Sequence, residues 1–157
     1  MPSRELRVGD KAPDFTLPAN GGGTACLSSL KGKSVVLYFY PKDDTSGCTA
    51  EAIAFAKDAK AFKAASAVVI GISKDSPVSH DKFRAKYDLS LTLGSDEDTK
   101  VAQSYGVWVE KSMYGRRYMG MERATFLIDG KGVIRQIWRK VKVPGHSENV
   151  LAAAKTL

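Results

Sequence analysis

The sequence predicts an α/β fold in which helices cover a mixed β-sheet. Two observations predict it: apolar runs of strand length alternate with segments of helical periodicity, and the last two strand-like runs are joined by a short turn. The chain has 157 residues, of which 43% are hydrophobic and 26% charged. That length suffices for one domain with a sizeable core, and we expect residues 1–157 to form a single domain.

The first half of the chain contains two predicted strands that are buried on both faces. Before them, GGG at 21–23 lies between DFTLPAN and TACLSSL, as expected for the loop of a β-hairpin. Residues 35–40, VVLYFY, and 66–73, SAVVIGIS, are apolar runs typical of central strands. A helix over 49–64 separates them, because apolar residues recur there every three or four positions. These residues are Ala52, Phe55, Ala59 and Phe62.

The second half continues the alternation. Ser76 and Pro77 are the N-cap and first residue typical of a helix start, and DGKG at 129–132 is typical of a hairpin turn. The other predicted elements are a helix over 77–87, a short strand over 91–93, a helix capped by Ser95 or Asp96 and ending near Gly106, the strands ATFLID and GVIRQIW, and a last helix from His146. The order predicts a thioredoxin-like fold with an added N-terminal β-hairpin.

Composition excludes several classes of protein. The net charge is +7, but the basic residues near the C terminus alternate with apolar ones, which indicates the solvated face of a strand rather than a nucleic-acid surface. The longest apolar run, residues 35–40, is far shorter than the ~20 residues that span a bilayer. The N-terminal segment MPSRELRVGDKAPDF lacks an apolar signal region. We therefore expect a cytoplasmic protein that binds neither nucleic acid nor membrane.

The two cysteines and two histidines also limit the chemistry. Two cysteines do not form a disulfide framework and fit a reducing compartment. The four residues are far apart and lack ligand spacing, so we expect no metal and no cofactor. His80 and His146 are expected to be ordinary exposed histidines, which argues against a cysteine hydrolase with a histidine base.

Cys48 has the surroundings of a reactive cysteine. It follows the loop PKDDTSG and lies at the start of the helix predicted after it. The thiolate is the reactive form of cysteine, and the free N–H groups of a helix N terminus stabilise negative charge. Gly47 allows close approach to the backbone, Thr45 places a hydroxyl near the sulfur, and Pro41 is placed to shield the sulfur from water.

The spacing Pro41-x-x-x-Thr45-x-x-Cys48 resembles the active-site motif of the peroxiredoxins. PKD, CTAE and the later ERATFLIDGKGVI resemble the bacterioferritin comigratory, or Q-type, subfamily. The resemblance runs from VGDKAPDFTLP to RKVKVPGHSENVL, nearly the whole chain. It implies a thiol-dependent peroxidase that reduces hydrogen peroxide and organic hydroperoxides.

The resemblance also assigns roles to residues. Cys48 matches the peroxidatic cysteine that becomes a sulfenic acid, Thr45 the hydroxyl that orients the peroxide, and Pro41 the residue that shields the pocket. Arg123, in MERATFLID, matches the arginine that holds the thiolate and the transition state. These roles agree with physical chemistry, because fixed donors stabilise the charge that develops on the leaving oxygen.

Two further residues are expected near the substrate. The backbone N–H group of Gly47 is a candidate donor to the bound peroxide. Glu51 has two interpretations that the sequence does not separate. It is either a carboxylate that supports Arg123 or a first-turn glutamate that complements the helix dipole.

The chain departs from the subfamily in its resolving cysteine. Q-type enzymes commonly carry that cysteine five residues after the first or on the next helix, and the matching positions here are Ile53 and Arg84. We expect a one-cysteine cycle recycled by thioredoxin or by glutathione with glutaredoxin. The alternatives are a two-cysteine cycle with Cys26 as resolving thiol, and a thioredoxin-like redox or binding protein without peroxidase activity.

Two features of the surface stay open. Relatives of the Q type are often monomers, so a monomer is expected, with a dimer as the alternative. The segment 107–123 carries large apolar side chains that either line an apolar collar for organic peroxides or pack internally. These side chains are Trp108, Met113, Tyr114, Tyr118 and Met119.

Overall fold

Residues 5–157, the part of the chain that the computed structural model describes, contain both strands and helices. The strands are β1 (Thr16–Pro18), β2 (Thr24–Cys26), β3 (Ser34–Phe39), β4 (Ala67–Ser73), β5 (Thr92–Ser95), β6 (Trp108–Met113), β7 (Arg116–Met121), β8 (Ala124–Ile128) and β9 (Ile134–Trp138). The α-helices are α1 (Ser46–Lys57), α2 (Ala59–Ala64), α3 (Pro77–Tyr87), α4 (Lys100–Ser104) and α5 (His146–Ala154). Residues 1–4, part of the segment searched for a signal peptide, lie outside this description.

The central sheet is mixed and has the order β5-β4-β3-β8-β9. Strands β3, β4 and β5 are parallel, and β8 pairs antiparallel with both β3 and β9. Strand β3 lies in the middle and is buried from Val35 to Phe39, as its apolar sequence predicts. The predicted mixed sheet with helices on its faces and an N-terminal hairpin, β1 and β2, is confirmed.

Alternate residues of β3 point into two separate cores, because successive side chains of a strand face opposite sides of the sheet. Val35, Leu37 and Phe39 pack with the β1–β2 hairpin and with the residues of and after α4. Val36 and Tyr38 pack with α1, α2, α3 and α5 on the other face. Each fully buried large apolar side chain contributes about 1.5–3 kcal/mol to stability. The two cores therefore fix the helices to defined faces of the sheet.

The single helix predicted over 49–64 is in fact two helices. Helix α1 begins at Ser46, three residues earlier than predicted, and ends at Lys57. Asp58 leaves the helical conformation, with ψ near 7°, and α2 follows it. Aspartate is among the weaker helix formers, which is consistent with the break at this position. The earlier start places Cys48 inside the first turn of α1.

The helix before Gly106 also begins later than predicted, although the predicted capping residue is used. Thr99 occupies the N-cap position of α4 and makes no capping bond through its own side chain. The carboxylate of Asp96 instead accepts hydrogen bonds from the backbone N–H groups of Val101 and Ala102 at 3.2 and 2.8 Å. Asp96 therefore stabilises the helix start from the preceding loop.

Strands β6 and β7 form a two-stranded hairpin that the sequence analysis left unassigned. Tyr114 and Gly115 connect them with φ values of 52° and 77°, the two positive φ values of a type I′ turn. Tyr114 is 98% exposed at the tip, whereas Met121 at the base is buried. No helix within residues 5–157 is long and apolar enough to cross a membrane.

Candidate active site

Cys48 lies where the central strand passes into the first long helix. The chain leaves β3 at Phe39, passes through residues 40–45 and enters α1, so the first turn of α1 lies at the carboxyl end of the middle strand. The Cys48 residue is only 1% exposed and packs in the core formed with α1, α3 and α5. The sulfur is therefore held by packing at the N-terminal turn of a helix, where free N–H groups favour negative charge.

Arg123 reaches Cys48 from the neighbouring strand. Ala124, the first residue of β8, pairs with Phe39, the last residue of β3, so Arg123 lies beside the end of the central strand. Its Nη2 donates to the Sγ atom of Cys48 at 3.4 Å, and its Nη1 donates to Oε1 of Glu51 at 2.7 Å. The guanidinium of Arg123 thus contacts both the thiol of Cys48 and the carboxylate of Glu51, which lie 75 and 72 positions before it in the sequence.

Glu51 is buried next to this guanidinium. The residue is 1% exposed, and its Oε2 has no hydrogen-bond partner within residues 5–157. Burial raises the pKa of Glu51 to about 7, although the charge and hydrogen bond of Arg123 act in the opposite direction. Of the two interpretations of Glu51, the structure shows the contact with Arg123.

Gly47 leaves room for the guanidinium. A Cβ atom at this position would lie 3.1 Å from Nη2 of Arg123, which is closer than ordinary van der Waals contact. A side chain at this position would require the guanidinium to shift by a few tenths of an ångström. The glycine of the motif therefore favours the close approach of Arg123 to the first turn of α1.

Thr45 and Pro41 border the same loop. Thr45 is exposed at the N-cap position of α1, and its hydroxyl donates to the backbone carbonyl of Lys42 at 2.8 Å. Because its proton is used in that bond, the lone pairs of the Thr45 oxygen remain available as acceptors. Pro41 is half-buried between β3 and this turn.

His80 does not have the exposed position predicted for it. It is fully buried on α3, where its Nδ1 lies 2.7 Å from Oδ2 of Asp43. Sequence reasoning missed both members of this pair. The available signal was the spacing of His80 and Phe83, which places them on the same buried face of α3.

His146 is also buried, contrary to the prediction, and is 5% exposed at the start of α5. Its Nε2 lies 2.8 Å from Oγ1 of Thr125, and the rings of Phe55 and Trp138 pack against it edge to face. Burial lowers the pKa of His146 to about 4, with a smaller effect of Arg123 in the same direction. Within residues 5–157, no group of His, Cys, Asp and Glu side chains has the arrangement of a metal site.

Lys111 brings the β6–β7 hairpin to the site. Its Nζ donates to the backbone carbonyl of Met121, and its aliphatic chain passes over Gly120, where a Cβ atom would lie 3.0 Å from Cδ. Burial lowers the pKa of Lys111, and the charge of Arg123 acts in the same direction. Cys48 acts in the opposite direction. Lys111 is therefore a second cation within electrostatic range of Cys48 and Arg123, at a position that no motif indicated.

Cys26 lies on the other side of the sheet. It ends β2, in the hairpin that packs on the face opposite the core of Cys48. Thr16 donates to its sulfur at 3.3 Å, and the Ser28 hydroxyl lies 3.2 Å from it. Hydrogen bonds from Ser28 and Thr16 lower the pKa of the partly exposed Cys26 thiol to about 7. Both cysteines are free.

Comparison with known proteins identifies the family. The sequence profile of the AhpC/TSA family matches residues 8–137. The chain belongs to the AhpC/TSA family. A "putative peroxiredoxin bcp" from Coxiella burnetii is 53% identical over 146 residues, which cover 93% of this chain and 97% of that protein. The chain is therefore a peroxiredoxin of the Bcp or Q type, and a thiol-dependent peroxidase.

Solved structures of the same type agree with this assignment. A mutant of Xylella fastidiosa PrxQ is 38% identical with a TM-score of 0.92 and covers 98% of both chains. A Xanthomonas campestris bacterioferritin comigratory protein, described in connection with alkyl peroxide reduction, is 43% identical with a TM-score of 0.87 and covers 90% of both chains. The thioredoxin-like fold predicted from the order of elements is confirmed. Peroxiredoxins take peroxide substrates and a thiol reductant.

Proposed function

We propose that Cys48 is the peroxidatic nucleophile of a single-domain peroxiredoxin. The observation that carries the proposal is the contact between Nη2 of Arg123 and the sulfur of Cys48, at 3.4 Å. A guanidinium stays protonated at any physiological pH and stabilises a thiolate next to it. Because Glu51 fixes the other nitrogen, the cation is held toward the sulfur before the peroxide arrives.

In the first half-reaction the thiolate of Cys48 attacks one peroxide oxygen. An S–O bond forms, the O–O bond breaks, and the electron pair of that bond leaves on the distal oxygen as alkoxide or hydroxide. That oxygen takes a proton from solvent, giving an alcohol or water, and Cys48 is left as a sulfenic acid. Arg123 is placed to stabilise the charge that moves from the sulfur to the leaving oxygen.

The loop residues orient the peroxide in this proposal. The oxygen of Thr45, whose proton is directed at Lys42, accepts a hydrogen bond from the peroxide O–H group. The backbone N–H group of Gly47 donates to a peroxide oxygen, and Pro41 keeps bulk water from the sulfur. These assignments rest on the position of the loop at the start of α1.

The second half-reaction uses an external thiol. What supports a one-cysteine cycle is the absence of cysteine at Ile53 and Arg84, together with the position of Cys26 on the far face of the sheet. One thiol condenses with the sulfenic acid to a mixed disulfide and water, and a second thiol releases Cys48 and a disulfide. The proposed donors are thioredoxin or glutathione with glutaredoxin, in a cytoplasmic monomer. The two-cysteine cycle through Cys26 is the alternative.

Organic hydroperoxides are proposed as substrates beside hydrogen peroxide. The Xanthomonas relative is described in connection with alkyl peroxide reduction. In this chain Met113, Tyr118 and Met119 are exposed on the β6–β7 hairpin, whose Lys111 interacts electrostatically with Cys48 and Arg123. An apolar alkyl group would find contacts on this hairpin.

The proposal is tested by peroxide consumption and by mass spectrometry. Wild type should consume peroxide with thioredoxin or with glutathione and glutaredoxin, and Cys48→Ser should not. After one equivalent of peroxide without reductant, Cys48 should gain one oxygen. An intramolecular Cys26–Cys48 disulfide would replace the one-cysteine cycle by the alternative, and equal activity of Cys48→Ser would refute the nucleophile.

A further inference from the structure

The loop that carries Pro41 and Thr45 is tied to α3 by a buried pair, Asp43 and His80, which we call the clasp. Asp43 is 7% exposed and His80 is fully buried. Oδ2 of Asp43 lies 2.7 Å from Nδ1 of His80 and accepts a hydrogen bond from the Ser79 hydroxyl at 2.8 Å. The carboxylate of the loop is thus bound at two places on α3.

Both ring nitrogens of His80 face acceptors. Nδ1 faces the carboxylate of Asp43, and Nε2 lies 3.0 Å from the backbone carbonyl of Gly94 on β5. The ring therefore makes two hydrogen bonds in opposite directions, one to the loop and one to the sheet. Through the ring of His80, the loop is connected to the backbone of β5 in the central sheet.

The loop is also bound through its backbone. The N–H group of Asp43 donates to Oδ2 of Asp75, and the hydroxyl of Tyr40 donates to Oδ1 of Asp43 at 2.5 Å. Asp75 in turn accepts a hydrogen bond from Ser73 at the end of β4. Asp43, which lies between Pro41 and Thr45, is thus held on every side by polar contacts.

Polar contacts, rather than apolar packing, hold this loop on its outer side. A cleft of about 360 Å³ opens there, lined by Asp43 and Asp44 and by α3 residues that include Val78 and Lys82. The next residue, Asp44, has φ of 59°, a left-handed conformation that aspartate adopts more readily than most residues, and its carboxylate accepts hydrogen bonds from Lys86 and Tyr87 of α3. The clasp is thus the buried part of the polar contacts that hold the loop against α3, and Asp44 makes the exposed part.

Reduction of oxidised Cys48 by an external thiol requires movement near the sulfur, in contrast to the fixed loop described above. Cys48 is 1% exposed, so a peroxide can reach it only as a small molecule, and a protein or glutathione thiol cannot reach it without movement of the loop or of the first turn of α1. The loop proposed to orient the peroxide is therefore one of the two segments whose movement would admit the external thiol.

We propose that the Asp43–His80 clasp is a positioning device that favours oxidation of Cys48 and limits its reduction. The inference rests on the proposed function of Cys48 and concerns how that site is controlled. The clasp holds Thr45 in place for attack on the peroxide, and its opening exposes the sulfenic acid. A looser clasp slows the first half-reaction and speeds the second.

The test separates the two hydrogen bonds of His80. His80→Asn places an amide N–H group where Nδ1 lies and keeps the bond to Asp43, whereas His80→Gln places one where Nε2 lies and loses it. The reaction of reduced enzyme with hydrogen peroxide and the reaction of oxidised enzyme with dithiothreitol are each measured by stopped-flow tryptophan fluorescence. Lys86→Gln, which removes an exposed ion pair with Asp44 and a cation–π contact with Tyr87 but leaves the Asp43–His80 contact in place, is the matched control.

We expect His80→Gln to lower the rate constant with peroxide by about tenfold, because misplaced reacting groups cost rate steeply. The same variant should raise the rate constant with dithiothreitol. His80→Asn and Lys86→Gln should stay near wild type in both reactions. Unchanged rates in His80→Gln, a parallel loss in both reactions, or identical behaviour of the Asn and Gln variants would overturn the clasp.

Two controls keep the test decisive. If His80→Gln does not fold, as judged by circular dichroism, Asp43→Asn weakens the same contact from the loop side and should show the same opposite changes. Cys48→Ser distinguishes failure of the proposed function from failure of the clasp. An active Cys48→Ser variant refutes the proposed function. An inactive Cys48→Ser variant, together with wild-type rates in the clasp variants, refutes only the clasp.

Discussion

Cys48 and Cys26 are the same residue type in opposite surroundings. Cys48 is buried in the first turn of α1 with a guanidinium at 3.4 Å, in contact with no hydroxyl donor that the structure records within residues 5–157. Cys26 is partly exposed at the end of β2, where the hydroxyls of Thr16 and Ser28 contact its sulfur. The two lie on opposite faces of one sheet.

The difference predicts that a favoured thiolate is not sufficient for peroxidase activity. Hydroxyl hydrogen bonds lower the pKa of Cys26 to about 7, which favours its thiolate. Cleavage of an O–O bond also needs a fixed positive group for the charge on the leaving oxygen, and within residues 5–157 the guanidinium of Arg123 contacts the sulfur of Cys48 and not that of Cys26. We therefore expect Cys26 to react with simple alkylating reagents and Cys48 to react with peroxide.

The largest expected difference between the two cysteines is the effect of removing each thiol on the peroxidase rate. Cys48→Ser should lower the peroxidase rate by about 10³-fold or more, because the nucleophile is lost. Cys26→Ser should leave the rate within about twofold, because surface changes away from a site have small effects. Peroxide consumption with excess dithiothreitol measures both, and a loss of similar size in Cys26→Ser would contradict the comparison.

The next effect concerns the cation. Arg123→Lys keeps the charge but loses the planar fork that reaches both Cys48 and Glu51, and should lower the rate with peroxide by about 10²-fold. Arg117→Lys, on the exposed part of the β6–β7 hairpin, is the matched control and should be neutral. Stopped-flow oxidation measures the change. A wild-type rate in Arg123→Lys would mean that charge without geometry is sufficient.

The buried carboxyl of the Cys48 site should appear in the pH dependence of folding. Burial raises the pKa of Glu51 from 4.5 to about 7, so the folded protein binds this proton more tightly than the unfolded chain. Its contribution to stability is full below pH 4.5 and is lost as the pH rises through 7. Glu51→Gln should remove this fall, measured as the free energy of unfolding in urea between pH 5 and 8.

His146 provides a control of opposite sign in the same core. Its pKa is lowered from 6.5 to about 4, so its contribution is present above pH 6.5 and is lost as the pH falls through 4. His146→Gln should therefore flatten the acid side of the stability curve and leave the side near pH 7 unchanged. The same slope in both variants would show that neither group titrates as its surroundings require.

The smallest expected effect is on the pH dependence of alkylation at Cys26. In a Cys48→Ser background, the rate of alkylation by iodoacetamide should rise with pH with a midpoint of about 7. Thr16→Val and Ser28→Ala each remove a hydroxyl donor and should raise that midpoint, with Ser28→Ala having the larger effect. Unchanged midpoints would mean that the hydroxyls do not set the reactivity of this thiol.

Local patterns predicted most of the fold. The buried run that became β3, the N-cap at Ser76 and the turn at 129–132 all depend on residues close in sequence, and all are found. The break at Asp58 and the β6–β7 hairpin were missed, because the helix pattern continues through the first and the turn at Tyr114 uses a residue that rarely adopts positive φ.

In the candidate active site, too, features that depend on residues close in sequence were predicted and features that depend on distant contacts were missed. The motif around Cys48 predicts which sulfur is reactive, since a helix start after a polar loop is visible in the residues themselves. The burial of His80 and its contact with Asp43, 37 positions away, gave no local signal strong enough to outweigh the expectation that a histidine is exposed. Lys111 was missed for the same reason, because it reaches the site only through the pairing of β6 with β7.

The sequence by itself determined the order of strands and helices, the family and the position of the sulfur, because these depend on hydrophobic period, turn residues and a motif of fixed spacing. Only the tertiary structure decided which charges surround that sulfur. Arg123 meets Cys48 because β8 pairs with β3, and Glu51 is ionised with difficulty because packing removes it from water. Electrostatic effects act through space, so they follow from the packing of the strands and not from distance along the chain.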